Sequence, residues 1–249
     1  EGDLVKKTVS PSVTRTFQAT NNDVENKYGY RYGKWLTASL YAKCEFVGVS
    51  KGDFSCKIEY AYDLPNLQDE KVHLVYEVYG DGKIIVDMSY QPVVSEIEMP
   101  VFGLIFQLYK DMEEVNYYGF GPEENYIDRN KGALLGKYAY QVTDNLTPYL
   151  YPQACGNRTH VRKLSIIGEN KKLEVEGKDF EFTALHYTPY ELENARHKDE
   201  LPNIYQTVLC INEKQMGIAG DDTWGAKTHD EFLLDKEKHH LRFSFKGKL

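Results

Sequence analysis

The chain has 249 residues, 41% hydrophobic and 27% charged, with a formal net charge of -8. That is long enough to bury a sizeable core, and the composition is ordinary for a globular protein. An acidic balance with no Lys/Arg cluster argues against nucleic acid and anionic membrane as partners, and no apolar run approaches the ~20 residues of a membrane-spanning helix.

Taken in order, the chain opens on "EGDLVKK", without a starting Met or a signal peptide, and reads as a mature or excised piece. Residues 1 to about 35 are polar, and "ATNNDVENKYGYRYGKW" is rich in Asn, Gly and Tyr. This region reads as a long loop, and such loops in compact domains are often functional. "SCKIEYAYDL" alternates as a half-buried strand does. "KVHLVYEVYGDGKIIVDMSYQP" predicts a hairpin turning at Gly80-Asp81-Gly82. "RNKGALLGKY" reads as one helical turn. "KLSIIGENKKLEVEG" predicts a second hairpin, turning near Gly168-Glu169-Asn170. "FEFTALHY", "YQTVLCI" and "LRFSFKG" are further strands. Between the first two, "PYELENARHKDEL" carries about two helical turns, with Thr188 as N-cap and Pro189 at the first position.

Tyr numbers 20 and Phe 11, residues that favour pleated, half-buried surfaces. Turn signals recur every ~8–12 residues, the signature of an all-β sandwich or barrel. With no βαβ repeat, a TIM barrel or Rossmann domain is excluded within this chain. Cys44, Cys56, Cys155 and Cys210 match no zinc spacing. They read as four buried thiols, with a Cys44–Cys56 pairing across a hairpin as the alternative.

The acidic pairs Glu113-Glu114, Glu123-Glu124 and Asp221-Asp222 invite a glycosidase reading. Neighbours on a strand point to opposite faces, however, so the two Glu pairs read as solvated or turn-capping groups. Asn212-Glu213 resembles the acid/base dipeptide of sugar-cleaving barrels but lacks a barrel around it. His160 and His186 are the histidines open to a buried or functional role, and the rings of His239 and His240 should face apart. GxGxxG does not occur. Trp224, one of two tryptophans, follows Asp221 and Asp222 in "GIAGDDTW". Such a ring either plugs a loop into the core or offers an indole face to the apolar side of a pyranose.

Four blocks in order carry a resemblance. "YYGFGPEENYIDRNKGALLGKY" resembles the W-x-G-x-G-P-x-E-N-Y-x-D-R signature in the C-terminal domain of large bacterial β-galactosidases, glycoside hydrolase family 2. "VTDNLTPYLYPQACGNRTHVRKLSI" is similar to that family's Thr-Pro-Tyr segment, "MGIAGDDTW" to its M-G-x-x-G-D-D-S-W, and "FQATNNDVEN" to its D-N-D block. The resemblance implies one domain over 1–249, a large antiparallel β-sandwich of the supersandwich, galactose mutarotase-like kind, with residues 1–35 mostly loop bordering the active site. It implies that Trp224, Asn22 and Asp23 contact the substrate, and that Asp221 and Asp222 shape the Trp224 loop. The catalytic glutamates and Mg2+ would lie on a TIM-barrel domain or large subunit, and the substrate would be a β-galactoside such as lactose. No metal would be held by side chains of this chain, although Na+ on backbone carbonyls near Tyr151-Pro152 occurs in the family. The compartment, bacterial cytoplasm or periplasm, stays open. The alternatives are a stand-alone mutarotase-like epimerase, with His186 or His160 as acid, and a carbohydrate-binding module.

Overall fold

A computed structural model describes residues 10–12, 28–65, 71–92, 98–217, 219–222, 226–234 and 238–248. Twelve strands lie among them: β1 (Ser10–Ser12), β2 (Lys43–Lys51), β3 (Ser55–Asp63), β4 (Lys71–Tyr79), β5 (Lys83–Tyr90), β6 (Val101–Tyr109), β7 (Glu114–Gly121), β8 (Leu134–Gln141), β9 (Asn157–Ile167), β10 (Lys172–Leu185), β11 (Gln206–Gln215) and β12 (His239–Lys248). Two α-helices accompany them, α1 (Tyr28–Leu40) and α2 (Pro189–Asn194). Every strand pairing is antiparallel, in the order β1-β6-β11-β10-β12-β5-β4-β3-β2, with β9, β7 and β8 continuing from the other edge of β10.

The long strand β10 divides this sheet into two layers. Its first half, Lys172–Gly177, pairs with β12, and its second half, Glu181–Leu185, pairs with β11. The β6 and β12 layers face each other across the core. The Phe106 ring lies 6.2 Å from Phe243 and 5.8 Å from Phe245, and Phe102 stacks on Tyr90 at 6.3 Å. The all-β sandwich is thus the observed class. The β10 residues buried in the main core are Leu173 and Val175, then Phe180, Phe182 and Ala184. The parity changes because the register shifts between Glu176 and Phe182. Such an irregularity bends the strand and resets which face each side chain meets, so both halves supply apolar groups to one interior.

The predicted hairpins form as expected. Gly82 has φ +84°, the left-handed region that suits glycine, and its N–H donates to Tyr79 O at 3.0 Å. Gly168 N–H closes the second turn on Lys171 O at 2.8 Å. Thr188 caps α2 in a reciprocal capping box with Glu191.

Three expectations need correction. Residues 28–35, read as loop, belong to α1, where Tyr32, Trp35 and Ala38 are buried at helical spacing in the main core. "RNKGALLGKY" is no helical turn: a tight bend at 131–132 leads into β8, where pairing with β7 overrides local preference. The thiols are free, and Cys44 sits exposed on β2, at the end of the strand order. The register sets Cys44 opposite Tyr62 and Cys56 opposite Lys51, so the two cysteines are not partners across the hairpin.

Candidate functional site

The segment after β7 is a hub rather than a set of solvated acids. Asn125 is buried and fully bonded. Its N–H donates to Asn157 O at 2.9 Å, and its Nδ2 donates to Phe120 O and Glu123 O. Its Oδ1 accepts from Thr159 N–H at 3.0 Å and from the Thr159 hydroxyl at 2.6 Å. Glu124 accepts from Gly156 N–H at 2.6 Å, from the hydroxyls of Thr147 and Tyr149, and from Arg129. Burial pushes its carboxyl up, but the bonds from Tyr149 and Gly156 and the Arg129 charge outweigh that, and the net shift is downward. The Arg129 guanidinium also lies 5.4 Å from the Tyr126 ring centroid. The Thr-Pro-Tyr segment and the Gly-Pro-Glu-Glu-Asn-Tyr block are therefore bolted together through one carboxylate. Glu113 is likewise engaged: its Oε1 accepts from Thr143 N–H at 2.8 Å.

Asp128 extends the hub to the loop that follows β11. Its Oδ2 accepts from Ala219 N–H at 2.9 Å, across 91 residues of sequence. Gly217 N–H donates to Phe232 O at 2.7 Å and Met216 N–H to Pro100 O at 2.9 Å. The loop then closes on itself. Asp222 Oδ1 accepts from Ala226 N–H at 3.2 Å, and Asp221 Oδ1 lies 2.8 Å from His229 Nε2. The glycines permit this neck. A Cβ on Gly217 would stand 2.9 Å from the Asp128 carboxylate, and one on Gly220 only 2.0 Å from Ala226 O. Asp221 and Asp222 themselves are exposed. Trp224, Asn22 and Asp23 lie outside the described residues.

Behind the hub, on β9 to β11, sits a polar cluster that the sequence did not announce. Asn157 Nδ2 donates to Glu181 Oε2 at 3.0 Å, and Gln215 Nε2 donates to Asn157 Oδ1 at 2.8 Å. Glu181 is buried, and burial pushes its carboxyl up to about 8 against the opposing bonds from Asn157 and the Gln215 backbone. It stands in an alternating strand like any surface glutamate, and the only signal is its place between Phe180 and Phe182.

The histidines separate as follows. His186 is buried, with Nδ1 2.9 Å from Gln206 O and Nε2 3.0 Å from Glu113 Oε2 and 3.1 Å from the Thr143 hydroxyl. Both ring nitrogens are thus committed to tying the end of β10 to the start of β11 and to Glu113 and Thr143. His160 is exposed, 3.2 Å from Asp179. His239 is buried and His240 exposed, as strand alternation requires. Glu213, beside Asn212, lies 2.9 Å from His239 Nδ1. Among the described residues no group of three or more His, Cys, Asp or Glu side chains is placed to hold a metal ion.

Comparison with known proteins adds ancestry to this geometry. The β-galactosidase of Streptococcus thermophilus is 36% identical over 245 residues, covering 97% of this chain and 24% of that protein. The chain thus spans about a quarter of that relative's length. A β-galactosidase small subunit from Latilactobacillus sakei is 28% identical, over 94% of this chain and 84% of that one. A solved structure, the GalM/aldose epimerase homologue from C. elegans, aligns over 84% of this chain and 69% of that one, at 12% identity and a TM-score of 0.40. The family model described as "Beta galactosidase small chain" matches residues 3–246. With nearly the whole sequence inside that match, the chain belongs to the β-galactosidase small-chain family.

Proposed function

We propose that this chain is the C-terminal domain or small subunit of a glycoside hydrolase family 2 β-galactosidase. In this reading its Gly217–His229 loop walls the aglycone side of an active site completed by a barrel-bearing domain or large subunit. The reaction is retaining hydrolysis of terminal β-galactosides, in which one glutamate is nucleophile and another acid/base. Both glutamates, and the Mg2+, reside on the partner. This chain's part is positional. Trp224 offers its indole face to the sugar, Asn22 and Asp23 border the same pocket, and Asp221 and Asp222 hold the loop at its neck.

The observation that supports this most is the bond from Ala219 N–H to Asp128. It joins the Gly-Pro-Glu-Glu-Asn-Tyr-x-Asp-Arg block to the Gly-Asp-Asp-x-Trp loop, two segments with no local reason to meet. The same block thus anchors the Thr-Pro-Tyr segment through Glu124 and this loop through Asp128. Both histidines that an epimerase reading would use as acid are already paired, His186 through both ring nitrogens with Gln206, Thr143 and Glu113, and His160 at the surface with Asp179.

The test is reconstitution with the barrel-bearing partner. The isolated chain should not hydrolyse a β-galactoside, and the assembled enzyme should. Trp224→Ala in the assembly removes a stacking contact of ~1–1.5 kcal/mol, which lowers kcat/KM for lactose about tenfold. Hydrolysis by the isolated chain, or an unaltered kcat/KM in the variant, would overturn the proposal.

A further inference from the structure

Among the described residues, six of the twelve large hydrophobic side chains left exposed lie between Leu40 and Phe54. They run from the end of α1 along β2 into the turn before β3. Phe54 is 86% exposed, Phe46 60% and Val49 54%. Scattered apolar side chains are normal at a protein surface, but a gathering of this kind marks an interaction site.

The strand register shows what kind of surface this is. Residues directly opposite one another in antiparallel strands share a face. One row runs Leu241, Met88, Leu74, Tyr60, Phe46, from β12 out to β2. Its first three members are buried in the main core, Tyr60 is half-buried, and Phe46 is open. A second row, Phe243, Val86, Tyr76, Ile58 and Val49, loses its cover in the same way. The Phe46 ring meets Tyr60 edge-on at 5.9 Å, and Tyr60 meets Tyr76 at 6.2 Å. Phe46 and Val49 therefore belong to the face that forms the sandwich interior, carried beyond the cover that the described residues provide. Cys44, opposite Tyr62 on the same face, is exposed as well.

The strand does not invite another strand beside it. Its register shifts between Phe46 and Gly48, and it carries Lys43, Glu45 and Lys51. A bulge and charges of this kind guard an edge against further ladder pairing, including pairing with a second copy. What remains to be covered is the face, and an apolar face of this kind suits a permanent partner better than a transient one. In the Streptococcus thermophilus relative the greater part of the polypeptide lies outside the stretch that matches this chain. We propose that the Phe46–Val49 face of β2 and β3 is where the barrel-bearing domain or large subunit docks, laying an apolar surface against it and completing the sandwich interior at this edge. The proposal rests on the β-galactosidase reading above and adds to it a place of contact on β2, not on the loop that follows β11.

The experiment joins thiol footprinting to an assembly assay. The chain alone and the reconstituted enzyme are treated with iodoacetamide, and modification of Cys44 is followed by mass spectrometry. Cys44 should react readily in the chain alone and many-fold more slowly in the assembly, while the buried Cys155 stays unreactive in both. The double variant Phe46→Ser, Val49→Ser changes two exposed positions, so the chain should keep its folded spectrum. Its affinity for the barrel-bearing partner should fall about a hundredfold, the scale of losing two interface anchors. The pair Leu134→Ser, Leu135→Ser, exposed on β8, should assemble as wild type. The inference is overturned if Cys44 reacts equally fast in an active assembly, if the Phe46, Val49 variant assembles as tightly as wild type, or if the β8 pair weakens assembly as much. It is also overturned if Cys44 becomes protected in the chain alone as concentration rises, since the occupant would then be a second copy. Should the Phe46, Val49 variant lose its folded spectrum, the wild-type footprint decides. An active assembly with Cys44 open refutes this contact and leaves the β-galactosidase reading standing, whereas a chain that forms no complex with the barrel-bearing partner defeats both.

Discussion

Replacing Asp128 by Ala tests whether the hub holds the loop. The carboxylate accepts from Ala219 N–H at 2.9 Å and packs against Gly217, where it leaves no room for a Cβ. A hydrogen bond to a charged group contributes ~1.5–3 kcal/mol, and solvent competes for one at the surface. Ala219 is exposed, so the lower end applies. A loss of ~1.4 kcal/mol raises the population of the locally open loop about tenfold. Amide exchange measured under native conditions reads this directly. The Ala219 amide should exchange about tenfold faster in Asp128→Ala, with the Ala226 amide, bonded to Asp222 in the same neck, following it. The Asn125 amide, bonded to Asn157 O within the hub, should keep its wild-type rate. Asp128→Asn, which retains an oxygen acceptor without the charge, should fall between. Unchanged exchange at Ala219 in a folded Asp128→Ala chain would show that the carboxylate does not hold the loop.

Two further substitutions probe the same architecture. Burial raises the Glu181 carboxyl from its ordinary 4.5 to about 8, with Asp179 adding to the shift and Lys214 opposing it. Across that interval the folded chain keeps a proton that the unfolded chain has released, so this group makes stability fall as pH rises from about 4.5 to about 8 and level off above. Glu181→Gln has no proton to lose, so its melting temperature should decline less than wild type over that window; parallel melting curves would refute the assignment. Gly220→Ala would set a Cβ 2.0 Å from the backbone oxygen of Ala226, which cannot step aside as a flexible side chain can. The neck should open, with hydrolysis by the reconstituted enzyme falling while the melting temperature of the chain stays close to wild type; full activity would show the neck to be unimportant.

Much of the strand framework was legible because its signals are local. Alternation in "KVHLVYEVYGDGKIIVDMSYQP" and the Gly-Asp-Gly turn specify one hairpin without reference to any other part of the chain. Thr188, Pro189 and Glu191 likewise specify the start of α2. The start of α1 was not legible. Gly29, Gly33 and a run of tyrosines look like loop, and the helix forms where Trp35 and Ala38 find a core to enter. "RNKGALLGKY" failed for the same reason in reverse, since β7 was the missing partner.

Sequence alone determined the hairpins, the capped helix and the four blocks that carry the ancestry, because each is written within a few neighbouring residues. Only the tertiary structure decided that Asp128 meets Ala219, that Glu124 gathers the Thr-Pro-Tyr segment, and that Glu181 and Asn212 are buried. Glu181 and Glu176 stand on the same strand, and each follows a buried apolar residue, Phe180 or Val175. What separates the buried one from the exposed one is which strands and turns happen to cover it, and that covering comes from residues far away along the chain.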